Sequence, residues 1–266
     1  MGVTHRWSWA GSRRGKEAGE KGMSGVYDAL KKAGAGEELF RPTDSVPGPI
    51  GALRKLLTPE ARGLFSGIYS NLLASAGATR PRTVLVCSAS DGEGATTVAA
   101  GLAIAAAEKR AGQVLLIDGN CHSPGVCESF GGAEGNGLGD LLAGSMDASA
   151  VVRKTTISDL SVMGPGVMPG DYIRALEPPR FRSLLERLAS TYQFILVDGP
   201  AINTYPESGL YAYQVDRVLL VAYSGVTRGP VAAKALAKLS AAGCDKVEVV
   251  LNHRTFAIPQ AVYKWL

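Results

Sequence analysis

No apolar run in this chain is long enough to cross a bilayer: the longest, around Val98 to Ala107, falls well short of the roughly 20 residues a spanning helix needs. Direct membrane insertion is therefore not expected, and a role at a membrane requires another chain to hold this one there. The start, MGVTHRWSWAGSRRGKE, lacks the apolar segment of a signal peptide. Cysteine is scarce as well. Cys87, Cys121, Cys127 and Cys244 match neither zinc nor thioredoxin spacing and read as free thiols of a reducing, cytoplasmic setting. Charge of one sign is also missing. The net charge is +4, with the basic excess gathered in residues 1–22 (Arg6, Arg13, Arg14, Lys16 and Lys21 against Glu17 and Glu20), so no nucleic-acid footprint spans a domain. No Gly-x-Ser-x-Gly elbow is present, which argues against a hydrolase triad.

What is there suits one sizeable core: 266 residues, 46% hydrophobic and 20% charged. Residues 1–45 are rich in Gly, Lys and Glu and carry one short helical pattern, Val26, Tyr27 and Leu30, and they read as a mobile basic arm. Met23 is a second candidate start within it. Residues 46–80 form a linker, SVPGPIG, and a first helix. Thr58 and Pro59 are suited to its N-cap and N1 positions, and Leu64, Phe65, Ile68 and Leu72 recur as its apolar stripe. From 81 to 266 apolar runs alternate with helical patterns: TVLVCS and a helix from Thr96; VLLID; LSVMG and a helix from Phe181 to Leu188; FILVDG; DRVLLVAY and a helix from Pro230 to Leu239; KVEVVLN. Short continuous Val/Ile/Leu runs separated by helices predict an α/β fold, a parallel sheet covered by helices on both faces.

The first of these strands runs into Ser88-Ala89-Ser90-Asp91-Gly92-Glu93-Gly94-Ala95-Thr96-Thr97 and then a helix. Glycines in such a loop let backbone N–H groups turn inward around phosphate oxygens, and the helix N-terminus adds partial positive charge. Asp91, Gly92, Glu93, Gly94, Ala95, Thr96 and Thr97 are thus candidate nucleotide-binding residues. The phosphate-loop pattern demands a lysine before the Thr pair, and Ala95 stands there. A lysine would grip the β and γ phosphates and follow the charge on a transferring group. Losing one such contact costs about 1.5–3 kcal/mol of binding, and losing a transition-state donor typically costs roughly 100- to 1000-fold in rate. No catalytic residue is assigned for that reason.

Two strands end in aspartate, Asp118 and Asp198, and open α/β sheets bind ligand beyond the carboxyl ends of their strands. Thr96, Asp118 and Asp198 form the oxygen set expected to hold Mg²⁺ beside ATP or ADP. The competing reading is that the aspartates cap helices or turns. Asn252 closes the last strand and is a candidate for an adenine edge. His122 and His253 flank these positions without a matching ligand spacing and read as polar loop residues.

In order along the chain, SASDGEGATTVAAGLAIAAAE, VLLIDGNCHSP, GLGDLLAG, MGPGVMP, FRSLLERLASTYQFILVDGPA and VVLN resemble the bacterial tyrosine kinases of capsule and exopolysaccharide assembly. The likeness runs from about Leu64 to Asn252, and MSGVYDALKKAG also looks like the leader of exopolysaccharide-associated members. The cell-division and plasmid-partition ATPases are more distant relatives. The resemblance implies that Gly92 to Thr97 are the Walker A motif, that Asp118 belongs to a second acidic motif, and that Asp198 is Walker B. It implies further that Thr96, Asp118 and Asp198 hold Mg²⁺ and that Asn252 lies near adenine.

This sequence departs from that family at several points. The lysine is Ala95, the second acidic position is Asn120, and the arginine that tends to follow is His122. The ring-forming Glu-x-x-Arg-x-x-Arg pattern falls on Gly63, Ser66 and Tyr69, which carry none of its charges. After Asn252 only Tyr263 remains of the tyrosine-rich tail. The expectation is a catalytically impaired relative, a pseudokinase. It would be cytoplasmic, peripheral at the inner membrane through the cytoplasmic segment of a membrane polysaccharide co-polymerase, with a homo-oligomer open and no nucleic-acid partner. The alternatives are an active tyrosine autokinase or ATPase whose phosphate-binding cation comes in trans, and a partition-like ATPase.

Overall fold

The computed structural model describes residues 58–75, 81–130 and 135–253. The expected arm (1–45), linker residues 46–57 and Tyr263 lie outside them. Helix α1 (Pro59–Ser75) opens where Thr58 and Pro59 place it, with the Ala61 N–H donating to Thr58 Oγ1 at 3.3 Å. There follow β1 (Thr83–Ser88), α2 (Ala95–Glu108), β2 (Val114–Asp118), α3 (Val126–Ser129), α4 (Leu138–Leu142), α5 (Ala148–Val151), β3 (Val152–Lys154) and β4 (Leu160–Met163). The chain continues with α6 (Tyr172–Leu176), α7 (Arg180–Leu188), β5 (Phe194–Asp198), α8 (Glu207–Gln214), β6 (Arg217–Tyr223), α9 (Gly229–Ala241) and β7 (Val247–Asn252).

The seven strands form one sheet in the order β3-β4-β2-β5-β1-β6-β7, parallel except for β3, which pairs antiparallel with β4. That edge strand departs from the all-parallel expectation. Its three residues, Val-Arg-Lys, are too short and too polar to show a period. The buried strands alternate their side chains between two cores, as period-2 backbone requires. Leu85, Leu115, Ile117, Ile195, Val197 and Leu220 face a core completed by α4, α6, α7, α8 and α9, while Val84, Val86, Leu116, Leu196 and Val221 face α1 and α2.

Helix α2, ATTVAAGLAIAAAE, is buried over most of its surface. Its alanines keep it thin enough to lie between the sheet and α1. At Gly101 a Cβ would come within 2.4 Å of the Phe65 ring, so glycine lets the two helices touch. On α1, Leu72 is fully buried and Phe65 and Ile68 pack inward, as the stripe predicts, but Leu64 is 71% exposed. The inward position is instead taken by Tyr69, whose ring meets Phe194 edge-on at 5.5 Å.

Candidate functional site

The order of the strands brings the carboxyl ends of β1, β5 and β2 side by side, and the loop leaving β1 curls over them. Gly92 and Gly94 hold φ angles of +79° and +91°, a conformation glycine adopts without strain. Between them, Glu93 turns inward and is 5% exposed. Its Oε2 accepts from the Ala89 and Ser90 N–H groups at 2.8 and 3.0 Å, and its Oε1 accepts from the Thr227 hydroxyl at 2.5 Å. This side chain braces the loop from within, and the nucleotide contact expected of residue 93 is one made by its backbone N–H. The Asn252 amide, predicted to face adenine, donates to the Glu93 carbonyl at 2.9 Å and accepts from the His253 N–H at 2.9 Å. It sits so close to Gly94 that a Cβ there would meet Nδ2 at 2.3 Å.

Ala95 is the first residue of α2 and is nearly buried, its methyl group joining the core beneath the loop. Thr96 and Thr97 follow at the helix N-terminus, where unpaired N–H groups and the helix dipole favour an anion.

Asp118 and Asp198 are Cα partners on adjacent parallel strands, and both are fully buried. Their surroundings differ. Asp118 Oδ2 accepts from the Gly125 and Val126 N–H groups at 2.9 and 3.0 Å, and Oδ1 from Asn120 N–H at 3.1 Å. Burial raises its pKa, and those three donors oppose the rise. Its carboxylate thus organises the loop that starts α3. Asp198 has no such support. Neither of its oxygens accepts a well-formed hydrogen bond from the described residues, although the Thr96 hydroxyl is near enough to favour the ionised form. Burial, reinforced by the charge of Asp118, drives its pKa well up. A hydroxyl and two carboxylates, one with orphaned oxygens, are a hard all-oxygen donor set that suits Mg²⁺.

The loops that follow these strands hold a second cluster with no counterpart in any sequence spacing. His122 Nε2 contacts Glu207 Oε1, the Tyr172 hydroxyl donates to the same oxygen at 3.0 Å, and the His122 ring stacks on Tyr205 at 3.9 Å and 15°. Glu207 is 1% exposed. Burial and the Glu207 carboxylate push the Tyr172 phenol up from its ordinary pKa. Cys121 belongs to the cluster as well: its thiol, Nε2 or Nδ1 of His122 and a Glu207 oxygen all lie within 4.8 Å of one another. Asn120, where the resembled family has an aspartate, uses its side-chain oxygen to accept from Ser123 N–H at 3.2 Å. His253, also read as a plain loop residue, stacks on Tyr223 at 4.3 Å beside Gly94, and burial lowers its pKa.

No protein-family model matches the chain. It is 28% identical over 189 residues to CapB of Staphylococcus aureus, named as a candidate tyrosine-protein kinase, covering 71% of this chain and 82% of CapB. Among solved structures it superimposes on the chimerical protein CapA2B2 with a TM-score of 0.67 at 27% identity, covering 72% of this chain and 84% of that one. The septum site-determining protein MinD from Pyrococcus horikoshii, solved with Mg-ADP, shares the fold at a TM-score of 0.55 and 22% identity, over 69% of this chain and 76% of that one.

Proposed function

From the premise that this chain belongs with the bacterial tyrosine kinases, on a P-loop NTPase fold, we propose that it is a catalytically impaired, nucleotide-binding member of capsule or exopolysaccharide assembly. It works beside the cytoplasmic segment of a membrane polysaccharide co-polymerase, which would keep it at the inner membrane. No helix among the described residues is long and apolar enough to cross a membrane, so an anchoring partner fits this reading.

The observation that carries the proposal is the methyl group of Ala95 at the start of α2, where the resemblance expects a lysine, behind a loop braced by Glu93 and Asn252 and with the acidic pair Asp118 and Asp198 at the ends of neighbouring strands. Backbone N–H groups from Gly92 to Thr97 would bind the phosphates of ATP or ADP. Thr96, Asp118 and Asp198 would hold Mg²⁺, which when bound neutralises phosphate charge. With no lysine to follow the terminal phosphate, binding survives better than transfer does.

Calorimetric titration with Mg-ADP and Mg-ATP tests this. Ala95→Lys should tighten binding at least tenfold, about 1.4 kcal/mol, while the natural chain shows only background autophosphorylation. Robust autophosphorylation of the natural chain, lost in Asp118→Ala and Asp198→Ala, would overturn it. The orphaned oxygens of Asp198 favour one other reading, an active kinase or ATPase completed by a cation in trans. In that case ATP turnover should rise when the co-polymerase segment is added.

A further inference from the structure

We propose that Cys121, His122 and Glu207 form a binding site for a borderline-soft divalent transition-metal ion of the Zn²⁺ kind, separate from the all-oxygen Mg²⁺ site and independent of any nucleotide. A thiolate, an imidazole and a carboxylate are the donors zinc takes, and three protein ligands with a fourth position open to water is a common zinc arrangement. The three ligand atoms already lie within 4.8 Å of one another. Around a tetrahedral ion with bonds of about 2.0–2.3 Å they would stand roughly 3.3–3.8 Å apart. Small side-chain shifts reach that geometry.

Two of the ligands are held in place. Glu207 is buried at the start of α8, where the Tyr172 hydroxyl donates to it at 3.0 Å. The His122 ring is fixed by stacking on Tyr205, and its Nε2 is turned toward Glu207. An ion would displace this Nε2–Glu207 contact and take both atoms as ligands. Cys121 is half-buried, so an ion has access from solvent. On binding, the Cys121 thiol gives up its proton to solvent and the imidazole proton sits on Nδ1, leaving Nε2 and the thiolate to the metal. The net charge of the site rises by one from the ion-free state.

Position gives the site a consequence. Cys121 and His122 lie in the loop that wraps Asp118, and Glu207 follows the strand that ends in Asp198. An ion here would cross-link the loops that follow the two acidic strands.

Co²⁺ is the test probe, because a cysteine thiolate bound to it gives a near-ultraviolet charge-transfer band and tetrahedral sites give intense visible bands. Titration of the full chain should produce both at one ion per chain, and excess Zn²⁺ should bleach them. Cys121→Ser should abolish the charge-transfer band, Cys127→Ser should leave it intact, and His122→Ala and Glu207→Gln should each weaken binding at least tenfold. Cysteine alkylation of the natural chain, resolved by peptide, provides a check that needs no variant: Zn²⁺ should slow labelling of Cys121 and not of Cys127. The proposal fails if stoichiometric Co²⁺ gives no thiolate band, if the band survives Cys121→Ser, or if Zn²⁺ leaves Cys121 labelling unchanged.

Discussion

The two structures that meet at the carboxyl edge of the sheet are finished to different degrees. The loop after β1 is self-sufficient: Glu93 closes it with three hydrogen bonds and Asn252 clamps its outer turn. The acidic pair beneath it is not, since Asp118 accepts from three backbone donors while Asp198, one strand over, has two buried oxygens without hydrogen-bond partners among the described residues. A loop that holds its own shape does not need a lysine or a phosphate to exist. A buried, unpartnered carboxylate beside another carboxylate stores unfavourable energy that a cation would relieve. The fold therefore holds this loop with alanine at position 95, and a cation bound at Asp198 would relieve its unpartnered oxygens.

The largest effect should come from breaking the self-sufficient side. Glu93→Ala leaves the Ser90 N–H and the Thr227 hydroxyl without their acceptor and the Ala89 N–H with only its 3.2 Å bond to the Val221 carbonyl, at a cost on the order of 2–3 kcal/mol. Glu93→Gln keeps an oxygen for the two N–H groups and should cost about 1 kcal/mol. Urea denaturation midpoints separate the two. Equal and small losses would mean the loop is held by something other than this carboxylate.

The other side should respond with the opposite sign. A carboxyl whose folded pKa lies above its unfolded value binds extra protons in the folded state. Asp198 therefore contributes most at low pH, and stability is lost as pH rises from about 4 through the raised folded pKa. Asp118, shifted the same way, adds to that slope. Asp198→Asn should flatten the fall and raise metal-free stability at neutral pH by up to about 2 kcal/mol, while abolishing Mg²⁺-dependent nucleotide binding. Parallel melting curves of the two proteins from pH 4 to 8, with and without Mg²⁺, read both effects. A variant no more stable than its parent at pH 7 would show that Asp198 is satisfied after all.

The same contrast marks what sequence could and could not deliver. β1, β2, β5 and β6 are legible because a strand covered on both faces must be continuously apolar, and VLLID and FILVD are nothing else. Asp118 and Asp198 are legible because the apolar run ends on them. Edge strand β3 and the four- and five-residue helices α3 to α6 are too short for any period to register. Glu93 reads only as one residue of the phosphate loop, and nothing in the local sequence marks its side chain as a brace. Its inward turn depends on Thr227, 134 residues away. The cluster of Cys121, His122, Tyr172 and Glu207 failed to register for the same reason: 50 residues separate Tyr172 from His122 and 85 separate His122 from Glu207. Leu64 and Tyr69 exchange roles because both fit a helical stripe, and the position of Phe194 decides between them.

The smallest effect tests how the clamp and the loop glycine depend on each other. Asn252→Ala alone removes two hydrogen bonds from a half-exposed amide and should cost about 1 kcal/mol. Gly94→Ala alone suffers twice, from a left-handed backbone at φ +91° and from a Cβ 2.3 Å from Asn252 Nδ2. In the double variant the second penalty vanishes and the first remains. The two changes should therefore fall short of additivity by roughly 0.5–1 kcal/mol in a double-mutant cycle of denaturation midpoints. Strict additivity would mean that Asn252 swings away from the loop in solution, leaving its amide free to meet a base, and the loop would then be braced by Glu93 alone.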